Sequence, residues 1–319
     1  MNAVAKQTDF EINRFNLKEK DITSVFIGGG TPSTVNPELY ESFFKKIYPY
    51  LNSDAEITVE ANPNSASAQW IGEMKQLGVN RISFGVQSFD NKKLKYLGRN
   101  HTSKNAIKAI ENAYFAGIKN ISLDLIHDTL IDNKKLLGYD IETAMNLPVN
   151  HISSYSLSIE KGTKFFYEKE RIKDDIRMQK WFYETIENAG FPRYEVSNFG
   201  KYICRHNTGY WKHYDYIGIG AGAVGYKTDK RYYPSKNIQK YIRTPLQFKQ
   251  ETLTKNQIKE EKVFLGLRSY VGFDKEILNN TEKNKVDLLA KENKVIQKDG
   301  KVFNTDYLLS DEIALFILD

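Results

Sequence analysis

The sequence predicts an α/β fold in which a parallel sheet is built from repeated strand–helix units. Short runs of β-branched and aromatic residues alternate with longer segments of helical periodicity up to about residue 190. The units recur roughly every 30 residues, which favours a βα barrel, whole or partial, over a sandwich. Gly78 and Gly117 end two of the helical segments, as expected where a helix gives way to a strand. Right-handed crossovers between parallel strands form the predicted framework.

The same patterns assign each element in chain order. The predicted strands are Ser24–Ile27, Glu56–Glu60, Arg81–Val86, Asn120–Ile126 and Ile152–Ser158. The predicted helices are Pro37–Leu51, Ala66–Leu77, Ser103–Ala116, Lys134–Leu147 and Asp174–Ala189. Asn36 and Pro37 open the first helix with a cap and a first-turn proline.

The pattern changes beyond about Ser235, where a second module is predicted. Its helices are Lys255–Arg268, Lys275–Leu278 and Lys283–Glu292, and a hairpin at Val295–Asn304 turns at Asp299-Gly300. Helices followed by a two-stranded wing indicate a small winged-helix-like domain. We therefore expect three parts: a barrel at 1–200, a ligand-handling segment at 201–234, and the winged-helix-like domain at 235–319.

The composition is that of a globular protein with a mildly basic surface. Of 319 residues, 46 are basic and 40 acidic, and the net charge of +6 is intermixed along the chain. This balance accommodates an anionic ligand but lacks the clustered charge of nucleic-acid binding. The single cysteine excludes an internal disulfide, and no apolar run approaches the ~20 residues of a membrane span. We expect a cytoplasmic protein with at most peripheral membrane contact.

Glycine and polar residues lie at the carboxyl ends of the predicted strands, where parallel α/β folds bind ligands. The segment Ile27–Ser33 (IGGGTPS) exposes backbone N–H and C=O groups through three consecutive glycines. Glu60, Gln87 and Asp124 lie at or near the ends of the next three strands. Arg99 is a candidate partner for a carboxylate. Together these residues predict a polar ligand at one edge of the sheet.

The stretch Cys204–Gly225 (CRHNTGYWKHYDYIGIGAGAVG) concentrates the single cysteine, two of the five histidines and five glycines. This mixture suits haem, held by an imidazole or thiolate and covered by aromatic rings. Zinc bound by Cys204, His206 and His213 is an alternative with too few certain ligands. An aromatic core patch is another alternative. Gly220–Gly225 matches GxGxxG, but a charged aromatic segment follows it, so no dinucleotide fold is predicted.

Taken together, these segments resemble the radical-SAM family of oxygen-independent coproporphyrinogen III oxidases and its HemW-type haem chaperone branch. The resemblance runs through IGGGTPS, TVEANP, ISFGVQSF, LGRNH, SLDLI, SSYSLSIEKGT, CRHNTGYW and DYIGIGAGA. HNTGYW fits the HNxxYW element associated with haem binding in the chaperone branch. The family implies a partial (β/α)6 barrel plus a small C-terminal domain, in agreement with the α/β pattern.

The resemblance also implies cofactors and the residues that contact them. S-adenosylmethionine (SAM) would be bound by Gly29, Gly30, Thr31, Glu60, Gln87, Arg99, Asp124 and Ser158. Haem would be bound by His206 as the candidate iron ligand, with Tyr210 and Trp211 beside it. A [4Fe-4S] cluster is implied by the family, and the catalytic residues are left unassigned.

Three departures from the family pattern stand out. The CxxxCxxC loop that holds the family's cluster is absent, and the chain begins in what looks like the helix after that loop. We therefore expect the barrel to lack its first strand, and favour truncation over genuine loss. His127–Leu130 replaces a Tyr-Gly-Leu-Pro turn. Val224 stands where the chaperones commonly carry histidine, which is more like the oxidases.

These observations predict a haem chaperone that binds haem and SAM and passes haem to respiratory haem proteins. The alternative is the enzyme, an oxygen-independent coproporphyrinogen III oxidase (dehydrogenase) that acts on a porphyrin precursor. A third hypothesis makes the winged-helix-like tail a DNA-binding module through Lys283, Lys285, Lys291 and Lys294. A lid or docking role is favoured for that tail, so no nucleic-acid partner is expected. A homodimer is left open.

Overall fold

The computed structural model describes residues 1–159, 161, 165–173 and 175–319, and its central element is a six-stranded sheet. The strands follow chain order across the sheet: β1 Ile22–Ile27, β2 Leu51–Ala61, β3 Arg81–Gln87, β4 Asn120–His127, β5 His151–Ser156 and β6 Asn198–Gly200. Strands β2 to β5 pair in parallel, whereas β6 pairs antiparallel to β5. The predicted partial α/β barrel is confirmed, and its five predicted strands correspond to β1 to β5 of the six observed. The short strand β6 was not predicted.

The helices of this part of the chain are α1 Asn2–Phe15, α2 Glu41–Ile47, α3 Ala68–Gln76, α4 Asn91–Tyr96, α5 Ser103–Phe115, α6 Lys134–Met145 and α7 Ile176–Asn188. Helices α3, α5, α6 and α7 lie close to their predicted positions, whereas α4 has no counterpart among the predicted helices. Side-chain caps set several starts, because the oxygens of Ser67, Thr102 and Asn133 accept backbone N–H groups that would otherwise be unpaired. The helix predicted from Asp174 begins at Ile176 instead, and Asp174 itself lies outside the described residues.

The helix predicted at Pro37–Leu51 is wrong in its extent. The segment consists of a 3-10 turn at Pro37–Tyr40, the α-helix α2, and a second 3-10 turn at Tyr48–Tyr50. Pro49 lies in the second turn, where it cannot donate the hydrogen bond that a continuing α-helix needs. Leu51 already belongs to strand β2.

The sheet has one apolar and one polar face. Ile82, Phe84, Leu123 and Ile152 are fully buried on one face, which α5 packs against at β3 and β4. The strand register places Ser83, Ser122, Asp124, His151 and Ser153 on the opposite, inner face. Barrel interiors are usually filled with branched aliphatic side chains. A polar inner face is therefore a feature that positions a ligand site rather than a core.

The remaining elements follow the barrel strands. They are α8 Arg205–Trp211, β7 Gly225–Lys227, β8 Lys230–Pro234, α9 Ile238–Arg243, β9 Phe248–Thr252, α10 Lys255–Leu267, β10 Phe273–Asp274, α11 Asn280–Lys291, β11 Val295–Lys298, β12 Lys301–Asn304 and α12 Ser310–Leu318. Strands β7 to β9 form one antiparallel sheet, and β10, β12 and β11 form another. The predicted hairpin is confirmed, with Asp299 and Gly300 both at positive φ in its turn.

The segment predicted to form a winged-helix-like module contains a hydrophobic cluster of its own. Val263, Val286 and Val302, on α10, α11 and β12, are fully buried together with apolar residues of α12. The helix predicted at Lys275–Leu278 is wrong in type, because this four-residue segment forms only a short 3-10 turn at Lys275–Ile277.

Two compact units emerge from the contacts between residues. The barrel unit comprises Val25–Glu38 and Glu56–Ile203, and the C-terminal unit comprises Met1–Ser24, Leu39–Ala55 and Cys204–Asp319. The three-part division at 200/201 and 234/235 stays a prediction. Within the described ranges, no helix is long and apolar enough to cross a membrane.

Candidate functional site

The glycine-rich loop after β1 lies against the end of β2 in the barrel unit. Gly29 and Gly30 adopt positive φ of 82° and 68°, and a Cβ added at either would meet no atom within 4 Å. The Gly29 N–H donates to Glu60 Oε2 at 3.1 Å. A Cβ on Gly28 would lie 2.9 Å from the same carboxylate. The loop thus exposes open backbone beside a carboxylate, as expected from the three glycines.

Thr31 completes this loop and begins the turn that follows it. Its carbonyl accepts the Thr34 N–H at 3.0 Å and the Thr34 hydroxyl at 2.8 Å. Ser33 joins the loop to the segment after β2, because its Oγ lies 2.6 Å from Ser65 Oγ and accepts the Asn62 N–H at 2.9 Å. These contacts fix the position of the glycines relative to β2.

Gln87 ends β3 in an unusual backbone conformation. Its φ is 69°, in the left-handed region that non-glycine residues rarely adopt, and the register of β3 against β4 shifts between Phe84 and Gln87. Its side chain is buried, and Gly85 leaves room for it, since a Cβ there would lie 3.0 Å from Gln87 Nε2. Strained backbone of this kind concentrates at ligand sites.

Asp124 lies on the inner face of β4 with an altered proton affinity. Burial raises the pKa of its carboxyl group to about 6, and the negative charge of Glu60 adds to this effect. Ser83 Oγ donates to Asp124 Oδ1 at 3.4 Å, and Ser153 also hydrogen-bonds to the carboxylate. The predicted residues Glu60 and Asp124 therefore act on one another electrostatically.

Two further predicted residues lie at the margin of this group. Burial lowers the pKa of the Arg99 guanidinium, while the nearby negative charge of Asp124 acts in the opposite direction. Arg99 therefore lies close enough to Asp124 to interact with its charge. Ser158 lies exposed, two residues beyond the end of β5. Among the described residues, no hydrogen bond joins Ser158 to the others.

Sequence reasoning missed two polar residues of this region, Tyr155 and Glu195. Tyr155 follows Ser153 on the inner face, and its pKa is raised by desolvation and by the charge of Asp124, with smaller effects from Glu195 and Glu60. Glu195 is buried, which raises the pKa of its carboxyl group to about 7. Side chains alternate between the two faces of the strand His151–Ser156, and this alternation could have placed Tyr155 on the same face as Ser153.

A buried hydrogen-bond network lies on the inner face at the start of the strands. Arg81 Nη2 lies 3.3 Å and Ser122 Oγ 2.7 Å from His151 Nδ1, while His151 Nε2 lies 2.7 Å from Tyr194 Oη. An arginine can only donate, so Nδ1 accepts and Nε2 carries the proton. Burial and the charge of Arg81 hold the pKa of His151 well below its ordinary value. This histidine is therefore a neutral structural element.

In the C-terminal unit, helix α8 contains the HNTGYW segment. Cys204 is buried and precedes the helix, and Ser24 Oγ lies 3.3 Å from His206 Nδ1. His206 and Tyr210 are four residues apart on one helix face, with their rings 4.9 Å apart. Trp211 comes five residues after His206 and lies on a different face. The predicted trio is thus divided between two faces of α8.

A row of aromatic rings continues from His206 and Tyr210. Tyr210 packs on Tyr216 at 4.7 Å between ring centroids, Tyr216 on Tyr226 at 6.0 Å, and Tyr226 on His213 at 4.8 Å. His213 Nε2 lies 2.9 Å from Glu261 Oε2. Tyr210 is 39% exposed, so the row reaches the surface at its His206 end.

The glycine-rich segment after α8 folds tightly on itself. A Cβ on Gly218 would lie 2.2 Å from the Val224 carbonyl oxygen, so that position admits only glycine. Gln7 of α1 holds the same segment, since its Nε2 donates to Gly218 O at 2.9 Å and its Oε1 accepts the Gly220 N–H at 3.0 Å. Strand β7 follows directly, which confirms that Gly220–Gly225 does not open the helix of a dinucleotide fold.

The zinc alternative has no geometric support in the described part of the chain. Within it, no group of three or more His, Cys, Asp or Glu side chains is placed to hold a metal ion. His213 is instead engaged by Glu261, and Arg231 pairs with the same carboxylate at 2.7 Å.

Comparison with known proteins then decides the family. The Radical SAM superfamily model matches residues 11–134. Heme chaperone HemW of Bacillus subtilis is 36% identical over 275 residues, which cover 81% of this chain and 72% of that protein. Heme chaperone HemW of Lactococcus lactis is 34% identical over 276 residues, covering 82% and 72%. The chain belongs to the HemW-type radical-SAM family.

Two further comparisons extend this result. Heme chaperone HemW of Escherichia coli is 38% identical over 213 residues, covering 65% of this chain and 56% of that protein. Coproporphyrinogen III oxidase (HemN) of E. coli, described as a radical SAM enzyme, matches with a TM-score of 0.79 at 16% identity, over 99% of this chain and 82% of that one. The latter similarity shows the fold alone. The resemblance drawn from the motifs is confirmed.

Proposed function

We propose that this protein is a haem chaperone that binds haem through α8, binds SAM at the barrel edge, and delivers haem to respiratory haem proteins. The single observation that carries the proposal is the arrangement on α8. There His206 and Tyr210 share one face within a row of aromatic rings, in a chain whose relatives bear the name heme chaperone. The proposed location is the cytoplasm.

The surroundings of His206 fit an axial haem ligand. Ser24 Oγ contacts Nδ1 at 3.3 Å, and a ligating imidazole is commonly oriented by such a hydrogen bond at its other nitrogen. The Tyr210 ring lies edge-on against the imidazole, and Tyr216 packs on Tyr210 in turn, so aromatic surface lies next to the candidate ligand. We therefore propose His206 as the iron ligand, with Tyr210 covering the ring on the same face. Trp211, on a different face of α8, stays a proposed haem contact on the strength of the HNTGYW motif alone.

The barrel edge fits SAM by charge and by open backbone. SAM carries an ammonium, a sulfonium, a carboxylate and a nucleoside. The carboxylates of Glu60 and Asp124 suit the cationic groups, and the guanidinium of Arg99 suits the carboxylate. Gly29 and Gly30 leave backbone groups uncovered for the polar head. We propose contacts from these five residues together with Thr31, Gln87 and Ser158.

The residues of this chain do not fit a [4Fe-4S] cluster. Such clusters are held by several cysteine thiolates, and this chain has one cysteine, Cys204, which is fully buried before α8. We therefore derive no radical step from the residues present. The runner-up function is oxygen-independent coproporphyrinogen III oxidation, because Val224 stands where the chaperones commonly carry histidine, which is more like the oxidases.

Spectroscopy of the haem-loaded chain tests the ligand assignment. We expect a Soret band that co-elutes with the protein on gel filtration, and its loss or displacement with a weaker affinity in His206→Ala. Arg205→Ala is the matched control, because this neighbouring residue is exposed at the start of the same helix. An unchanged band and affinity in His206→Ala would refute the assignment.

Product analysis separates the chaperone from the oxidase. A version carrying a CxxxCxxC loop is incubated with coproporphyrinogen, SAM and a reductant. If the protein is a chaperone, we expect coproporphyrinogen to be recovered unchanged, because haem is then a cargo and no porphyrin is a substrate. Formation of protoporphyrinogen would favour the oxidase.

A further inference from the structure

Tyr155 presents an exposed aromatic ring on the polar inner face of the barrel unit. Side chains alternate along β5, so Tyr155 shares this face with Ser153, which lies opposite Asp124 in the strand register. Tyr155 is 44% exposed, whereas Ser153 is buried. Desolvation by surrounding atoms nevertheless raises the pKa of the Tyr155 hydroxyl. A ring that is both exposed and crowded in this way lines a concave surface, where a ligand can reach it.

Two carboxylates lie near this ring on the same face. Ser153 hydrogen-bonds both with the Asp124 carboxylate and with the Tyr155 hydroxyl. A strand spacing of ~4.8 Å and a rise of ~3.3 Å per residue put the Cα atoms of Asp124 and Tyr155 about 8 Å apart. Glu60 pairs with Ser83 in the strand register, and Ser83 Oγ donates to Asp124 Oδ1 at 3.4 Å. One part of the inner face thus combines an aromatic ring with two carboxylates.

The electrostatic environment of the ring is negative. The charges of Asp124, Glu195 and Glu60 all act to raise the pKa of Tyr155. No ion pair between described residues includes Asp124 or Glu60. The face of an aromatic ring is itself electron-rich. A cation bound against Tyr155 is therefore attracted both by the ring and by the two carboxylates.

We infer that the ring of Tyr155 binds the sulfonium group of SAM and so selects SAM over the neutral thioether S-adenosylhomocysteine. The inference rests on the proposed SAM site and adds to it a residue that recognises the charge on sulfur. Aromatic rings bind alkylated cations such as quaternary ammonium groups, and a sulfonium that carries a methyl group has the same character. The adenine of SAM is a neutral base, so the carboxylates beside Tyr155 favour the sulfonium as the group in contact with the ring.

The affinities of the full chain for SAM and S-adenosylhomocysteine test this assignment. Calorimetry measures both ligands with the wild type, Tyr155→Leu, Tyr155→Phe and the control Tyr139→Leu, which removes an exposed tyrosine of α6. We expect the wild type to prefer SAM, and this preference to fall about two- to thirtyfold in Tyr155→Leu, as for the loss of a cation–π contact. Tyr155→Phe and the control should keep the wild-type preference, because both retain the ring at position 155.

The affinity for S-adenosylhomocysteine also reports whether each variant still has a folded site. Equal affinity of the wild type for the two ligands, or an unchanged preference in Tyr155→Leu, overturns the inference. A loss in Tyr155→Phe as large as in Tyr155→Leu also overturns it, because the hydroxyl bonded to Ser153 would then carry the effect. These three results leave the proposed SAM site intact.

Failure of the wild type to bind SAM at all removes the SAM site and this inference together. Haem binding is decided separately by the experiment with His206→Ala, because neither ligand used here contains iron or a porphyrin.

Discussion

The buried carboxyl group of Glu195 allows a quantitative test of the barrel unit's electrostatics. Glu195 is 1% exposed, and its Oε1 accepts the Ser197 N–H at 3.2 Å. Burial raises its pKa from 4.5 to about 7 despite this bond and the nearby charge of Arg193. A raised folded-state pKa means that the folded protein holds the proton more tightly than the unfolded chain.

The raised pKa makes the stabilising contribution of Glu195 depend on pH. The stabilising contribution of Glu195 is complete below pH 4.5 and is lost as the pH rises through about 7. At about 1.4 kcal/mol for each pH unit, the interval from 4.5 to about 7 corresponds to about 3 kcal/mol. The neutral, nearly isosteric substitution Glu195→Gln removes this titration. We therefore expect the variant to gain up to about 3 kcal/mol relative to wild type between pH 4 and pH 8.

Urea unfolding at several pH values measures this difference. Other titrating groups, such as Asp124, are common to both proteins and cancel in the comparison. Glu184→Gln, on the exposed surface of α7, is the control for removing one negative charge. Parallel stability profiles of Glu195→Gln and wild type across this range would refute the argument that burial raises the pKa of Glu195.

Two further predictions concern the glycine segment and the barrel edge. In thermal melts, Gly218→Ala should lower the free energy of unfolding by about 1–3 kcal/mol or more, because its Cβ would lie 2.2 Å from the Val224 carbonyl oxygen. The control Gly209→Ala in α8 should be neutral or stabilising, because a Cβ there would meet no atom within 4 Å. The affinity for SAM, measured by calorimetry, should fall as the pH drops through about 6, because protonation of Asp124 removes a negative charge near the cationic ligand. The variant Asp124→Asn should bind SAM weakly at every pH, and a wild-type affinity that does not change with pH would contradict this prediction.

The barrel could be predicted because its strands are long and locally patterned. Each of β1 to β5 contains β-branched or aromatic residues and lies next to a helical segment, and the glycines after β1 mark the ligand edge. Strand β6 could not be found in this way. It has only three residues, Asn198–Gly200, and exists through long-range pairing with β5.

The division of the α8 residues shows a second limit of sequence reasoning. HNTGYW contains glycine, asparagine and threonine, which are weak helix formers, so no helix was predicted there. Once α8 is known, helical geometry alone separates Trp211 from His206 and Tyr210. The burial of Glu195 was also beyond prediction, since it depends on a turn that closes only in the folded chain. The residues assigned to SAM and haem remain predictions of binding.

Titration of the full wild-type chain with haem, followed by gel filtration and analysis of the bound porphyrin, tests the central claim most directly. We expect one haem per chain, a Soret band that elutes with the protein, and recovery of the porphyrin with both propionates intact. Elution of the protein without a Soret band, or recovery of a decarboxylated porphyrin, would contradict the proposal that this protein is a haem chaperone.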